Sequence, residues 1–186
     1  EIRVFQNQWV GARAEIAQAQ TGALTPSDQI RVNALLARVS GRAPDERKWL
    51  QKLIGLEPNR KEYVYELAES YFHTADADDA RRNYEEALRI DDKYALAFNH
   101  LGYCYAWEGQ HDRAVQAFTR YLDLDHSANA YDSIGDAYLH AGDYVRAADA
   151  KKRALELDGS LYFARRALAS IAALTGRYAL AERIAA

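Results

Sequence analysis

Five histidines, one cysteine and a short acidic run are the residues of this chain with chemistry beyond folding. His73, His100, His111, His126 and His140 never stand as an i, i+4 pair, and no HExxH occurs. A metal centre would therefore have to be assembled across distant segments, so these read as ordinary polar or groove histidines. Asp76-Ala77-Asp78-Asp79 has the carboxylates of a calcium loop. It lacks the glycine and the closing glutamate such a loop needs, and reads as helix capping. Cys104 lies between Tyr103 and Tyr105 with no basic neighbour in sequence to activate it, the setting of a buried structural thiol. No phosphate-cradling glycine loop and no nucleophile elbow occurs. The chain reads as a non-enzyme without metal or cofactor.

Composition narrows the classes further. A formal net charge of −3 over 186 residues leaves no basic excess to neutralise phosphates, which disfavours nucleic acid. With 49% apolar and 27% charged residues the chain can bury a core, and 10 glycines with 3 prolines favour long helices. A single cysteine excludes an internal disulfide framework. No apolar run approaches the roughly 20 residues that span a bilayer, so direct membrane insertion is not expected. The chain starts at Glu1 and contains no methionine, as expected of a processed chain or a piece of a longer protein. An upstream signal or anchor would lie outside it, and the compartment stays open, with the cytoplasm as the leading expectation.

What positions these residues is a repeat. Ala80, Ala114, Ala147 and Ala181 recur at intervals of 34, 33 and 34 residues, and whole blocks recur with them. A fixed period of this size marks stacked helix pairs that share a continuous core. Within one unit Leu101, Tyr105 and Ala106 belong to a first helix, while Ala114, Phe118, Tyr121 and Leu122 line a second. Between helices fall Gly41, Gly109, Gly142 and Gly176, at the place where the closing residue often needs positive φ. Ala75 replaces glycine there, so its turn is expected to be capped some other way. Asp76, Asp112 and Asp143 follow, placed to cap the next helix. Ala68, Gly102, Gly135 and Ala169 on the first helices face Ala80, Ala114, Ala147 and Ala181 on the second, where a larger side chain would push two crossing helices apart.

These units resemble the tetratricopeptide repeat, a helix–turn–helix of about 34 residues with preferred residue types at set places. From Ala95 to Ser127, Phe98 stands where the family usually has Trp, and Leu101-Gly102, Tyr105, Ala114 and Phe118 follow in register. Tyr121 and His126 depart from the family's usual Ala and Pro. Lys61 to Tyr94 supplies Leu67, Ala68, Tyr71, Ala80, Tyr84 and Ala87. Ala128 to Leu161 supplies Tyr131, Ile134-Gly135, Tyr138, Ala147 and Ala154, with Lys151 where an aromatic is expected. Ser27 to Arg60 is a weaker unit with Gly41 at its turn, Pro58 at the proline place, and Glu46 where alanine is wanted, which implies looser packing. Trp9, Ala12, Ile16 and Ala19 read as the second helix of a truncated unit within residues 1–26, and residues 162–186 as another truncated unit. The resemblance implies an all-α fold, a right-handed α-solenoid of stacked antiparallel helix pairs with about 11 helices in one domain. Neither end shows a polar cap, again as expected of a piece of a longer protein. The loop Asp125 to Asn129 is one residue short. It reads as a deletion, with a residue dropped from the written chain between Ser127 and Ala128 as the alternative.

The resemblance also implies where function sits. In this family the first helix of each pair lines an inner groove, and its ligand-side places fall here on Tyr65, Glu69 and His73, on Asn99, His100, Tyr103 and Trp107, and on Asn129, Asp132, Asp136 and His140. Tyr65, Glu69 and His73 share a stripe at i, i+4, i+8, as do Asn99, Tyr103 and Trp107, and Asp132, Asp136 and His140. This lining mixes aromatics, amides and carboxylates and contains no Lys or Arg of its own. The clamp that other members use for acidic tails is absent. The expected partner is a protein or peptide segment carrying Lys or Arg and an apolar anchor, held by a scaffold that does no catalysis. The blocks are similar in style to repeat regions of bacterial signalling and regulatory proteins. A second interpretation is a structural array that self-associates through uncapped ends or serves as a spacer in a larger assembly.

Overall fold

The computed structural model describes residues 24–185, so the helix expected around Trp9 to Ala19 lies outside the described residues. All regular structure among the described residues is α-helical, in ten helices. Contacts divide the chain between Asp92 and Lys93 into two compact units.

The first unit contains α1 (Pro26–Val39), α2 (Ala43–Leu56), α3 (Lys61–Phe72) and α4 (Ala77–Ile90). α1 pairs with α2 and α3 with α4, and α2 stacks on α3. Its core joins Ala34, Leu50, Leu53, Tyr63 and Leu67, with Ile30, Trp49, Ile54 and Tyr71 packed against them. α1 starts on a reciprocal cap between Thr25 and Asp28, with Pro26 in its first turn. Glu46, expected to loosen α2, is buried instead. Its carboxylate accepts from Arg38 Nε at 2.5 Å and from Ser70 Oγ at 3.0 Å, so the charge is satisfied inside the stack.

The second unit contains α5 (Ala95–Trp107), α6 (His111–Leu124), α7 (Ala128–His140), α8 (Tyr144–Leu157), α9 (Tyr162–Leu174) and α10 (Tyr178–Ala185). Successive helices pack as pairs α5/α6, α7/α8 and α9/α10, and α6 on α7 and α8 on α9 join the pairs; α5 also touches α7. The small residues work as the spacing requires. A Cβ added to Gly102 would lie 2.7 Å from the Phe118 ring, and one on Gly135 would lie 3.0 Å from the Lys151 stem. Cys104 is buried. Arg113 lies 4.0 Å over the Tyr105 ring and Arg146 4.4 Å over Tyr138, one turn geometry used in both pairs.

The turns correct two expectations. Ala75 is not capped differently: it adopts φ 62°, the conformation of the glycines at the other turns, and Asp76 N donates to Tyr71 O at 3.1 Å. Of the aspartates expected as caps, only Asp143 acts so, accepting from Arg146 N at 3.0 Å. Asp76 instead accepts from Thr74 Oγ1 and pairs with Arg47, and Asp112 lies inside the first turn of α6. In the short loop before α7, Ser127 caps the helix, its Oγ accepting from Ala130 N at 3.3 Å.

Candidate functional site

One contact recurs in three helix pairs between residues 15 apart, the first on the leading helix and the second on the trailing one. In α3/α4 the Tyr84 hydroxyl donates to Glu69. In α5/α6 the rings of Tyr103 and Phe118 meet edge-on at 4.9 Å. In α7/α8 Lys151 Nζ donates to Asp136 Oδ1 at 2.5 Å. The backbone register is the same each time; the chemistry of the contact is not.

Lys151 is the extreme case. It occupies the place of Phe118, its stem lies against Gly135, and only 1% of its side chain is exposed. Its ammonium also donates to Asp132 Oδ1 at 2.7 Å and to Asp132 O at 2.9 Å, so all three protons are used. Burial pushes the Asp136 carboxyl above the usual carboxylate range, helped by Asp132 and opposed by Lys151 and His140. Asp136 still exposes 34% of its side chain.

This corrects the expected charge of the lining. Asp132 and Asp136 lie on the leading helix α7, but a cation reaches them from α8. The expectation considered the first helices alone, and the compensating charge comes from the second. In the first unit Glu69 is likewise engaged by Tyr84, with His73 Nε2 3.7 Å away and exposed, while the Tyr65 ring lies 5.7 Å from Tyr84.

The remaining residues of the second unit divide between packing and surface. Asn99 is buried, 7% exposed, and its Oδ1 has no partner among the described residues. Tyr103 is largely covered and its hydroxyl meets Ser133 Oγ at 3.1 Å; burial pushes its pKa up to about 12, so it stays neutral. His100 Nδ1 is 3.2 Å from Leu96 O. Asn129 donates to the Tyr121 hydroxyl at 3.0 Å. Trp107, at the end of α5, is 57% exposed, and His140 is exposed at the end of α7. Sequence reasoning stopped the lining at α7 and missed α9. Phe163 and Leu174, at the places of Leu96 and Trp107, are 55% and 63% exposed, and the same register carried one unit further would have found them. Among the described residues no group of three or more metal-ligating side chains is placed to hold an ion, and no helix is long and apolar enough to cross a membrane.

Comparisons with known proteins agree with this register. Tetratricopeptide-repeat profiles match residues 62–94 and 97–125. No curated protein matches the sequence. Among solved structures, a crystal structure of MamA is 19% identical, with a TM-score of 0.75 over 88% of this chain and 92% of that one. MamA 41-end from Desulfovibrio magneticus RS-1 is 16% identical, with a TM-score of 0.80 over 87% and 93%. A tetratricopeptide repeat protein from Parabacteroides merdae ATCC 43184 is 18% identical, with a TM-score of 0.76 over 85% of this chain and 63% of that one. At these identities the likeness speaks for the fold, and the matched profiles show tetratricopeptide repeats at residues 62–94 and 97–125.

Proposed function

We propose that this chain is a protein–protein interaction scaffold without catalysis of its own, and that the second unit holds a partner segment along α5, α7 and α9. Repeats of this family serve in general as such scaffolds. The observation that carries the site is α5. This helix is mostly apolar, with Asn99 and His100 its polar side chains: it buries Ala97, Leu101, Gly102, Cys104 and Tyr105, yet leaves Leu96 and Trp107 exposed. A surface helix of a self-sufficient fold turns a polar face to water, and an apolar one left open marks a binding surface. α9 repeats the arrangement with Phe163 and Leu174, so two apolar pairs flank the acidic α7.

The partner that suits this face has an apolar anchor for Trp107 and a basic side chain for Asp136. The similarity in style to repeat regions of bacterial signalling proteins supports a place within a larger regulator. The test is Trp107→Ala. A partner held by the wild-type chain should lose about 2 kcal/mol of affinity or more, measured by calorimetry, with helix content unchanged by circular dichroism. Unaltered affinity in that variant removes the anchor and the proposed face with it.

A further inference from the structure

We infer that the segment bound by the second unit is bipolar, carrying a basic residue for α7 and an acidic one for α9 between its apolar contacts. This rests on the binding face proposed above and goes further by giving the partner's charge pattern. The sequence alone suggests a partner carrying Lys or Arg and an apolar anchor, because the first helices hold carboxylates and no cation. Lys151 alters that balance. It takes Asp132 through both the carboxylate and the backbone carbonyl, and leaves Asp132 only 16% exposed. What remains open to a ligand is one edge of Asp136. The groups around that edge are Asp132, Lys151 and His140, with the neutral Tyr103 and Ser133 opposite on α5 and on α7 itself. One basic side chain is matched there, and a run of them is not.

The next leading helix has the opposite sign. α9, α10 and the turn between them carry Arg165, Arg166, Arg177 and Arg183 against Glu182 alone. None of these arginines has a carboxylate within ion-pair reach among the described residues, whereas Arg38, Arg47, Arg81, Arg146 and Arg153 all have one. Arg166 stands at the register place of Asp132, exposed between Phe163 and Leu174 on α9. A segment crossing from α5 to α9 thus meets an apolar pair, a single carboxylate, then a guanidinium flanked by a second apolar pair. Opposite charges set to match such a face add orientation and partner choice more than raw affinity.

The test uses three fluorescein-labelled helical peptides with the same apolar face, bearing lysines only, glutamates only, or one of each. Their binding to the whole chain is followed by anisotropy. The bipolar peptide should bind at least about threefold more tightly than either of the others. Arg166→Glu should abolish its advantage over the lysine peptide, and Asp136→Asn its advantage over the glutamate peptide, with melting curves showing both variants folded. Equal binding of the lysine and bipolar peptides overturns this inference while leaving the binding face standing. Failure of all three peptides to bind, with or without Trp107, overturns the face and the inference together.

Discussion

Lys151→Met isolates what a buried ammonium does inside a repeat. Methionine keeps an unbranched stem against Gly135, so packing is nearly conserved and the loss is electrostatic. Removing the ammonium strands Asp132 and Asp136 side by side, at 16% and 34% exposure, without the cation that now bonds both. Breaking a buried pair by deleting one partner costs about 3–5 kcal/mol, and the residual exposure of Asp136 places the expected loss near the lower end, about 3 kcal/mol at neutral pH. The penalty should shrink in mild acid, because protonating Asp136, whose carboxyl is already pushed up by burial, relieves the repulsion. Urea denaturation followed by circular dichroism at pH 7.5 and pH 5 measures both quantities. Adding Asp132→Asn and Asp136→Asn to Lys151→Met should restore more than half of the lost stability, since no bare charge is then left inside. A single variant within about 0.5 kcal/mol of wild type, or an equal loss at both pH values, would refute the argument.

Other outcomes follow from the same packing. Gly102→Ala pushes a methyl into the Phe118 ring and should destabilise by about 1–2 kcal/mol in urea, whereas Gly135→Ala meets a flexible stem and should stay within about 0.5 kcal/mol of wild type. Ala75→Gly relieves the left-handed strain at φ 62° and should raise stability by about 0.5–1 kcal/mol in the same titration. Asp136 has a raised folded pKa, so its stabilising contribution is full below the ordinary carboxylate value of 3.8 and is lost as pH rises through the folded value. Asp136→Asn should therefore flatten the stability profile across that window and leave the chain at least as stable as wild type at neutral pH; a variant that keeps the wild-type slope rules this out.

The repeat, the helix pairs and their turns are legible in the chain because apolar spacing and small residues recur at one period. Glycine at a turn is a local signal, and Ala75 shows its limit: the backbone conformation is imposed by the stack and persists when the residue suited to it is absent. Capping by aspartate is not legible where a second partner competes, as Thr74 and Arg47 do for Asp76. Trp107 is placed by register alone and is exposed at the end of α5. Lys151 was visible as a departure from the aromatic pattern, but its bonds to Asp132 and Asp136 arise only when two helices are brought together. Glu46 is the same case in the first unit, a charge whose partners Arg38 and Ser70 come from neighbouring helices.

Chains built from near-copies of one helix pair face a hazard that ordinary domains do not: any leading helix has several trailing helices of similar shape to choose from. The contacts at a separation of 15 residues give α3, α5 and α7 a reason to refuse the wrong one. Were α7 to take α6 as its trailing helix, Phe118 would stand at the place of Lys151 and leave Asp132 and Asp136 with no counterion; were α5 to take α8, the ammonium of Lys151 would lie against Tyr103 with no anion. Non-identical chemistry at one shared address thus guards against copies being mismatched as the polypeptide collapses.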